Sequence, residues 1–193
     1  MTMRPGSLRY MFSRRGLAIA MLTMAIYVVL LIPFKQFVIL DTITEIRPAG
    51  AVPVVMAVLL GPGAALGSAF GNLIGDVLGG TLTMGSIGGF VGNFFFAYVA
   101  WAVWNELSSS IRTDFDTRSA GHFIVAAVVA SVACGAIIAL GLELTGLAPL
   151  VDMFGVITLN DIVWTCTLGL IITWLLYPRT IKYRRDMHLV DQE

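Results

Sequence analysis

The chain has 193 residues and no net charge; 58% of its residues are hydrophobic and only 12% are charged. Soluble domains carry about a quarter charged residues, so the composition excludes an ordinary soluble domain, and the balanced charge gives no sign of a nucleic-acid partner. The charges collect at the two ends and in short gaps between long apolar runs. We therefore expect an all-α membrane protein, a bundle of six transmembrane helices with no separate soluble domain.

The predicted elements begin with a basic leader over residues 1–15. A transmembrane domain follows over residues 16–177, and residues 178–193 form a basic tail. A Gly-Pro-Gly turn at residues 61–63 separates the second and third spans, and residues 143–158 are expected to be a connection. The six predicted spans are residues 16–34, 48–60, 64–78, 84–104, 122–142 and 159–177.

Basic residues predict how this bundle is oriented. With six spans and a cytoplasmic N-terminus, the outer segments hold only two basic residues, Lys35 and Arg47, which is the bias expected when positive charge stays inside. Both termini are then cytoplasmic in a multi-pass protein of the cell membrane. A signal peptide is the alternative for the first apolar run, but the run is long and no cleavage site follows it in a polar setting. The inner basic residues are Arg4, Arg9, Arg14, Arg15, Arg112, Arg118, Arg179, Lys182, Arg184 and Arg185.

Two stripes of residues with four-residue spacing run along the third predicted span. Residues four apart lie on one face of a helix, and a line of glycines lets another helix approach closely in a membrane. The line either packs against the glycines of the fourth span or provides a sliding surface or space for a ligand. The stripes are Gly67, Gly71, Gly75 and Gly79 beside Ser68, Asn72 and Asp76, and the fourth-span glycines are Gly85, Gly88, Gly89 and Gly92.

An ionisable side chain inside a predicted span marks a candidate functional site, because a carboxylate at the centre of a membrane helix costs about 2.5 to 3.5 kcal/mol. Asp76 lies near the outer end of the third span, and Asn72 lies one turn further in. Ser86 and Asn93 share one face of the fourth span. These groups either hydrogen-bond a polar ligand or clamp the two helices together.

The first outer connection ends with two charged residues just before the second span. Arg47 can donate a bidentate pair of hydrogen bonds to a carboxylate or carbonyl of a ligand. Alternatively, Arg47 pairs with Glu45 or Asp76 and holds the connection as a lid.

A similar group of polar residues opens the sixth predicted span. Asp161 either contacts a ligand beside Asn160 or caps the helix N-terminus. Trp164 is either a stacking surface for a planar ring or an anchor at the membrane interface. Trp101, Trp104 and Tyr177, at the inner ends of their spans, are interpreted as interface anchors. The candidate substrate-binding residues are thus Glu45, Arg47, Asn72, Asp76, Asn93, Asn160, Asp161 and Trp164.

The sequence lacks the common catalytic and metal-binding motifs. Cys134 and Cys166 lie inside predicted spans without the paired spacing of a metal site, and we interpret them as small core residues. The sequence has no nucleophile elbow, phosphate loop or His-Glu-x-x-His motif. We expect no enzymatic activity, no cofactor and no metal, and any work driven by ATP would require another chain.

The order of these features resembles that of a known membrane family. A basic leader precedes the span LAIAMLTMAIYVVL, and the outer connection ends in Glu45-Ile46-Arg47-Pro48. A short second span, the Gly-Pro turn and the glycine-rich run GSAFGNLIGD follow. This layout resembles the S component, the substrate-binding membrane subunit of energy-coupling factor (ECF) transporters. The Ile-Arg-Pro segment and the second span are most similar to the branch assigned to queuosine precursors.

The resemblance implies a six-helix protein that captures a vitamin or related micronutrient from outside in a pocket near the outer helix ends. It also implies a transmembrane coupling subunit, joined to two ATPase subunits, that docks on small residues of the first helix. The family pattern there is Ala-x-x-x-Ala. Ala25 fits one position, Met21 occupies the other, and Gly16 with Ala20 offers an alternative small pair.

Two other classes of function remain open from the sequence. A stand-alone channel or secondary transporter would move its solute without ATP. An intramembrane enzyme would need a catalytic constellation, which the sequence lacks, and an assembly protein would bind a partner but no small molecule.

Overall fold

The computed structural model describes residues 8–34, 38–40, 44–45, 47–108 and 114–190, and in these the chain is helical apart from one short hairpin. The hairpin strands are antiparallel and pair Val38 with Glu45 and Leu40 with Thr44. The elements in chain order are α1 (Leu8–Met11), α2 (Arg14–Leu31), a 3₁₀ turn (Ile32–Phe34), β1 (Val38–Leu40), β2 (Thr44–Glu45), a 3₁₀ turn (Pro48–Gly50), α3 (Ala51–Leu60), α4 (Gly63–Leu78), α5 (Gly85–Leu107), α6 (Thr117–Leu144), α7 (Leu150–Trp164), a π-helical turn (Thr165–Gly169) and α8 (Leu170–Val190).

Helices α2 and α4 run parallel, and α3 returns between them. Gly63 at the start of α4 lies against Gly16 of α2, and Gly75 near the end of α4 lies against Leu31 at the end of α2. Helix α3 contacts both helices. It is buried on every side from Ala51 to Leu59, which explains why its sequence is apolar all round.

The remaining helices continue this alternation of direction. Gly88 near the start of α5 lies against Gly141 near the end of α6, and Leu150 at the start of α7 is hydrogen-bonded to Glu143 at the end of α6. The start of α2 and the second half of α8 therefore lie at one end of the bundle. We call this the basic end, because it carries Arg14, Arg15, Arg118, Arg179 and Lys182.

Within the described residues, four helices have the length and composition to cross a membrane: Arg14–Phe34, Gly85–Leu107, Thr117–Leu144 and Leu150–Lys182. Helices α3 and α4 are shorter, with 10 and 16 residues. At 1.5 Å per residue they measure about 15 and 24 Å, less than the ~30 Å of a bilayer core. Every predicted span corresponds to a helix, but in the part of the chain that the structure describes only these four have the length of a full crossing.

The last two predicted boundaries are wrong. Residues 143–158 were expected to be a connection, yet α7 begins at Leu150. Glu143 Oε2 accepts a hydrogen bond from the Leu150 backbone N–H at 2.6 Å, so this carboxylate satisfies one of the open donors at the start of α7. A π-helical turn then joins α7 directly to α8. The polar residues Asp152 and Asp161 interrupt the apolar pattern of this one long helix, and for that reason the sequence predicted a connection followed by a span.

The glycine stripe of α4 packs against α2, so the expectation that it packs against the fourth span is wrong. A Cβ on Gly71 would lie 3.1 Å from Tyr27, and one on Gly67 would lie 2.6 Å from Thr23 Cβ and collide with the Ala20 carbonyl oxygen. Most of the α5 glycines lie at the contact between α5 and α6. Gly85, Gly88 and Gly92 face α6 or the turn after it, and Gly89 lies under the Asn72 side chain.

The tight α2–α4 seam gives a first prediction. A Gly67→Ala variant should lose about 1–3 kcal/mol of stability from overpacking, although alanine favours a helix by up to ~1 kcal/mol. The control is Gly155→Ala in α7, where an added Cβ would meet nothing within 4 Å. Thermal unfolding of the purified protein in detergent should show a lower midpoint for the first variant and an unchanged or higher one for the second. Equal unfolding midpoints of the two variants would contradict the tight packing of Gly67 against α2.

Aromatic side chains fill the basic end of the bundle. Trp104 stacks on Phe115 with ring centroids 6.2 Å apart, and Tyr177 makes edge contacts with both rings at 5.9 and 5.4 Å. Phe123 completes this cluster. Trp101, Trp104 and Tyr177 are at most 9% exposed, so their interpretation as interface anchors is wrong: they pack inside the bundle.

Candidate functional site

Arg47 links three helices at the end of the bundle opposite the basic end. Its Nη2 donates to Asn72 Oδ1 of α4 at 2.6 Å and to Tyr27 Oη of α2 at 3.2 Å. Tyr27 Oη in turn donates to Asn93 Oδ1 of α5 at 3.0 Å. These three partners are buried, and polar groups inside a membrane domain are costly unless they are paired. The network therefore holds the guanidinium in place.

A second layer supports Asn72 and Asn93. Asn72 Nδ2 donates to Asp76 Oδ2, and Thr81 Oγ1 donates to Asp76 Oδ1, each at 3.4 Å. Asn93 Nδ2 donates to the Gly89 carbonyl at 2.9 Å. Each amide thus has a partner for its nitrogen and presents its oxygen to the Arg47–Tyr27 pair.

Asp161 forms the other wall of the site. Its side chain is 8% exposed and accepts a hydrogen bond from the Cys134 thiol of α6, and the charge of Arg47 acts on it. A Cβ on Gly50 would lie 3.2 Å from Asp161 Oδ1. The carboxylate thus borders the first turn leading into α3, and the positive end of a helix dipole stabilises a negative charge there.

A small polar cavity lies between these two walls. The cavity has a volume of about 10 Å³, which is enough for about one water molecule. A larger ligand would require the walls to separate. The cavity is lined by Tyr27, Arg47, Asn93, Cys134, Ile138, Ile157, Asn160 and Asp161.

The structure brings together half of the residues proposed from the sequence. Arg47, Asn93, Asn160 and Asp161 line the cavity. Asn72 and Asp76 stand behind Arg47 and support it through hydrogen bonds.

The other two candidate residues are Trp164 and Glu45, and Asp161 has a second predicted role as a helix cap. Trp164 is half-buried and lies outside the lining of the cavity, and the side chain of Glu45 falls outside the described residues. The capping role considered for Asp161 is wrong, because Asp161 lies near the C-terminal end of α7 (Leu150–Trp164) and not at its start.

Sequence reasoning missed Tyr27 and gave Cys134 only a packing role. A tyrosine in the middle of a first span carries a hydroxyl that must find a partner in the protein, which is the signal that could have identified Tyr27. Cys134 has no such signal, since its contact with Asp161 depends on how α6 and α7 pack. Ile138 and Ile157, which supply the apolar wall, are ordinary span residues in the sequence.

The three residues predicted for partner docking face different surroundings. Gly16 is buried and lies against Gly63, whereas Ala20 is half-buried and its backbone carbonyl faces Gly67. Ala25 is exposed.

The fold and the site define an α-helical membrane protein, in which the bundle encloses a polar cavity at one end and is filled by aromatic side chains at the other. The chain belongs to the QueT transporter family, whose family model matches residues 17–178. This family consists of S components of ECF transporters, which confirms the resemblance deduced from the sequence. Comparisons with curated proteins and with solved structures found no match.

Proposed function

We propose that this protein is the substrate-capture subunit of an ECF-type importer and that its substrate is a 7-deazaguanine base, a precursor of queuosine. In this proposal the chain crosses the cell membrane six times, with both termini in the cytoplasm. A separate coupling subunit and two ATPase subunits supply the energy. Membership of the QueT transporter family supports this assignment.

The observation that carries the proposal is the asymmetry of the bundle. On α5, Asn93 lines the cavity while Trp104 lies in the aromatic cluster. Trp104 follows Asn93 by eleven positions, which corresponds to about 16 Å along a helix. A channel needs a polar path through both ends, whereas a capture protein needs one polar site closed from the far side. The distribution of polar and aromatic side chains supports capture.

The charge distribution supports the proposed orientation. The basic end carries Arg14, Arg15, Arg118, Arg179 and Lys182, and positively charged segments are retained in the cytoplasm. The cavity then faces outward, where an importer first meets its substrate.

The exposed face of α2 supports the proposed coupling partner. Met21 and Val29 are each 67% exposed and Leu22 is 50% exposed, and Ala18 and Ala25 lie exposed beside them. This apolar face, in which each small residue lies one turn from a larger one, suits contact with another membrane helix. We propose that Ala25, rather than the buried Gly16, contributes to that contact.

The experiment measures binding and transport separately. Purified protein in detergent is titrated with 7-deazaguanine and with 7-cyano-7-deazaguanine, and the same protein in liposomes is assayed for uptake. We expect saturable binding with one site per chain, and no uptake until a coupling module with ATP is added. Uptake by this chain alone would identify a secondary transporter or channel instead, and a lack of binding to both bases would overturn the proposed substrate.

A further inference from the structure

The Asp161 carboxylate has acceptor capacity that the protein does not use. An ionised carboxylate offers about four acceptor positions, and within the described residues it receives one hydrogen bond, from the weakly donating Cys134 thiol. Buried polar groups are normally well satisfied. A side chain that is 8% exposed and lines a cavity is therefore arranged to accept hydrogen bonds from something that enters the cavity.

The opposite wall has the complementary character. The Arg47 guanidinium carries hydrogen-bond donors and no acceptor, and its hydrogen bonds to Asn72 and Tyr27 fix its position. The cavity thus has an acceptor wall at Asp161 and a donor wall at Arg47. A ligand that satisfies both presents N–H donors and a carbonyl acceptor on one planar edge.

We infer that the Asp161 carboxylate accepts hydrogen bonds from two N–H donors of the substrate, a ring N–H and an adjacent exocyclic amino group. The substrate carbonyl next to that ring N–H then faces Arg47. This inference rests on the proposed function, whose 7-deazaguanine bases all carry such a 2-amino-4-oxopyrimidine edge, and it assigns the recognition of that edge to Asp161. Bases that lack the amino group leave one carboxylate oxygen without a partner. We expect them to bind about 10- to 100-fold more weakly, as when a site built for a hydrogen bond meets an analogue without it.

The test compares two bases that differ only in the amino group. Wild-type protein is titrated with 7-deazaguanine and with 7-deazahypoxanthine, and the ratio of the two Kd values is the readout. An Asp161→Asn variant should bind 7-deazaguanine at least about 10-fold more weakly and should lose most of the discrimination. The matched control is Asp152→Asn, which removes an exposed carboxylate from the same helix and should leave both Kd values unchanged.

The outcomes separate this inference from the proposed function. Equal affinity of the wild-type protein for the two bases would overturn the role of Asp161 and leave the capture function standing. Binding of neither base would remove the proposed substrate itself. Because the wild-type ratio needs no variant, the inference is tested even if Asp161→Asn fails to fold.

Discussion

An Arg47→Gln variant should lose substrate binding by at least about 100-fold and should also be less stable than the wild-type protein. The substitution removes the donor shared by Asn72 and Tyr27 and the positive charge that faces Asp161. Leaving buried polar groups without partners costs about 1–3 kcal/mol each, and an uncompensated buried carboxylate adds to this. Thermal unfolding in detergent and titration with 7-deazaguanine measure the two effects.

Two further variants make this prediction specific. Arg118→Gln removes an exposed arginine at the basic end and should change neither binding nor stability. The double variant Arg47→Gln/Asp161→Asn should recover part of the lost stability, because the unpaired carboxylate is gone, yet it should not recover binding. If the double variant lost as much stability as the two single variants together, or more, the charge of Arg47 would not be what compensates Asp161.

The helical elements could be predicted because lipid imposes a simple rule on the sequence. Backbone polar groups inside a membrane must be satisfied within each span, so long apolar runs become helices, and those near residues 16–34, 84–104 and 122–142 did so. The sixth span was misplaced because a carboxylate buried inside the bundle looks the same in the sequence as one at the end of a helix. Asp161 is such a carboxylate.

The candidate site could be predicted only in part, for a related reason. A charged or amide side chain in an apolar run signals a function regardless of its neighbours, and Asp76 and Asn93 were identified in this way. Arg47 and Asp161 were identified at the predicted starts of spans. Which helices face each other is set by packing between distant segments. The glycines of α4 face α2, and this contact brings Tyr27 into the site; no local pattern encodes it.

Replacing Trp104 by alanine should reduce the stability of the protein more than any other single truncation at the basic end. The indole ring is 5% exposed and contacts Phe115 and Tyr177. In a membrane protein the surrounding lipid is as apolar as the core, so the loss comes mainly from the cavity that the ring leaves behind. We expect about 2–3 kcal/mol, measured as a lower midpoint of thermal unfolding.

The same variant tests the separation between the closed end and the binding end. Because Trp104 lies about 16 Å along α5 from Asn93, the folded Trp104→Ala protein should bind 7-deazaguanine with nearly wild-type affinity. The control is Trp174→Ala, which truncates a ring that is 58% exposed on α8 and should cost less than ~1 kcal/mol. A large loss of affinity in Trp104→Ala at a temperature where it is folded would mean that the aromatic cluster and the cavity act as one unit. The bundle would then not be divided into a closed end and a binding end, and its polar and aromatic side chains would not favour capture over conduction.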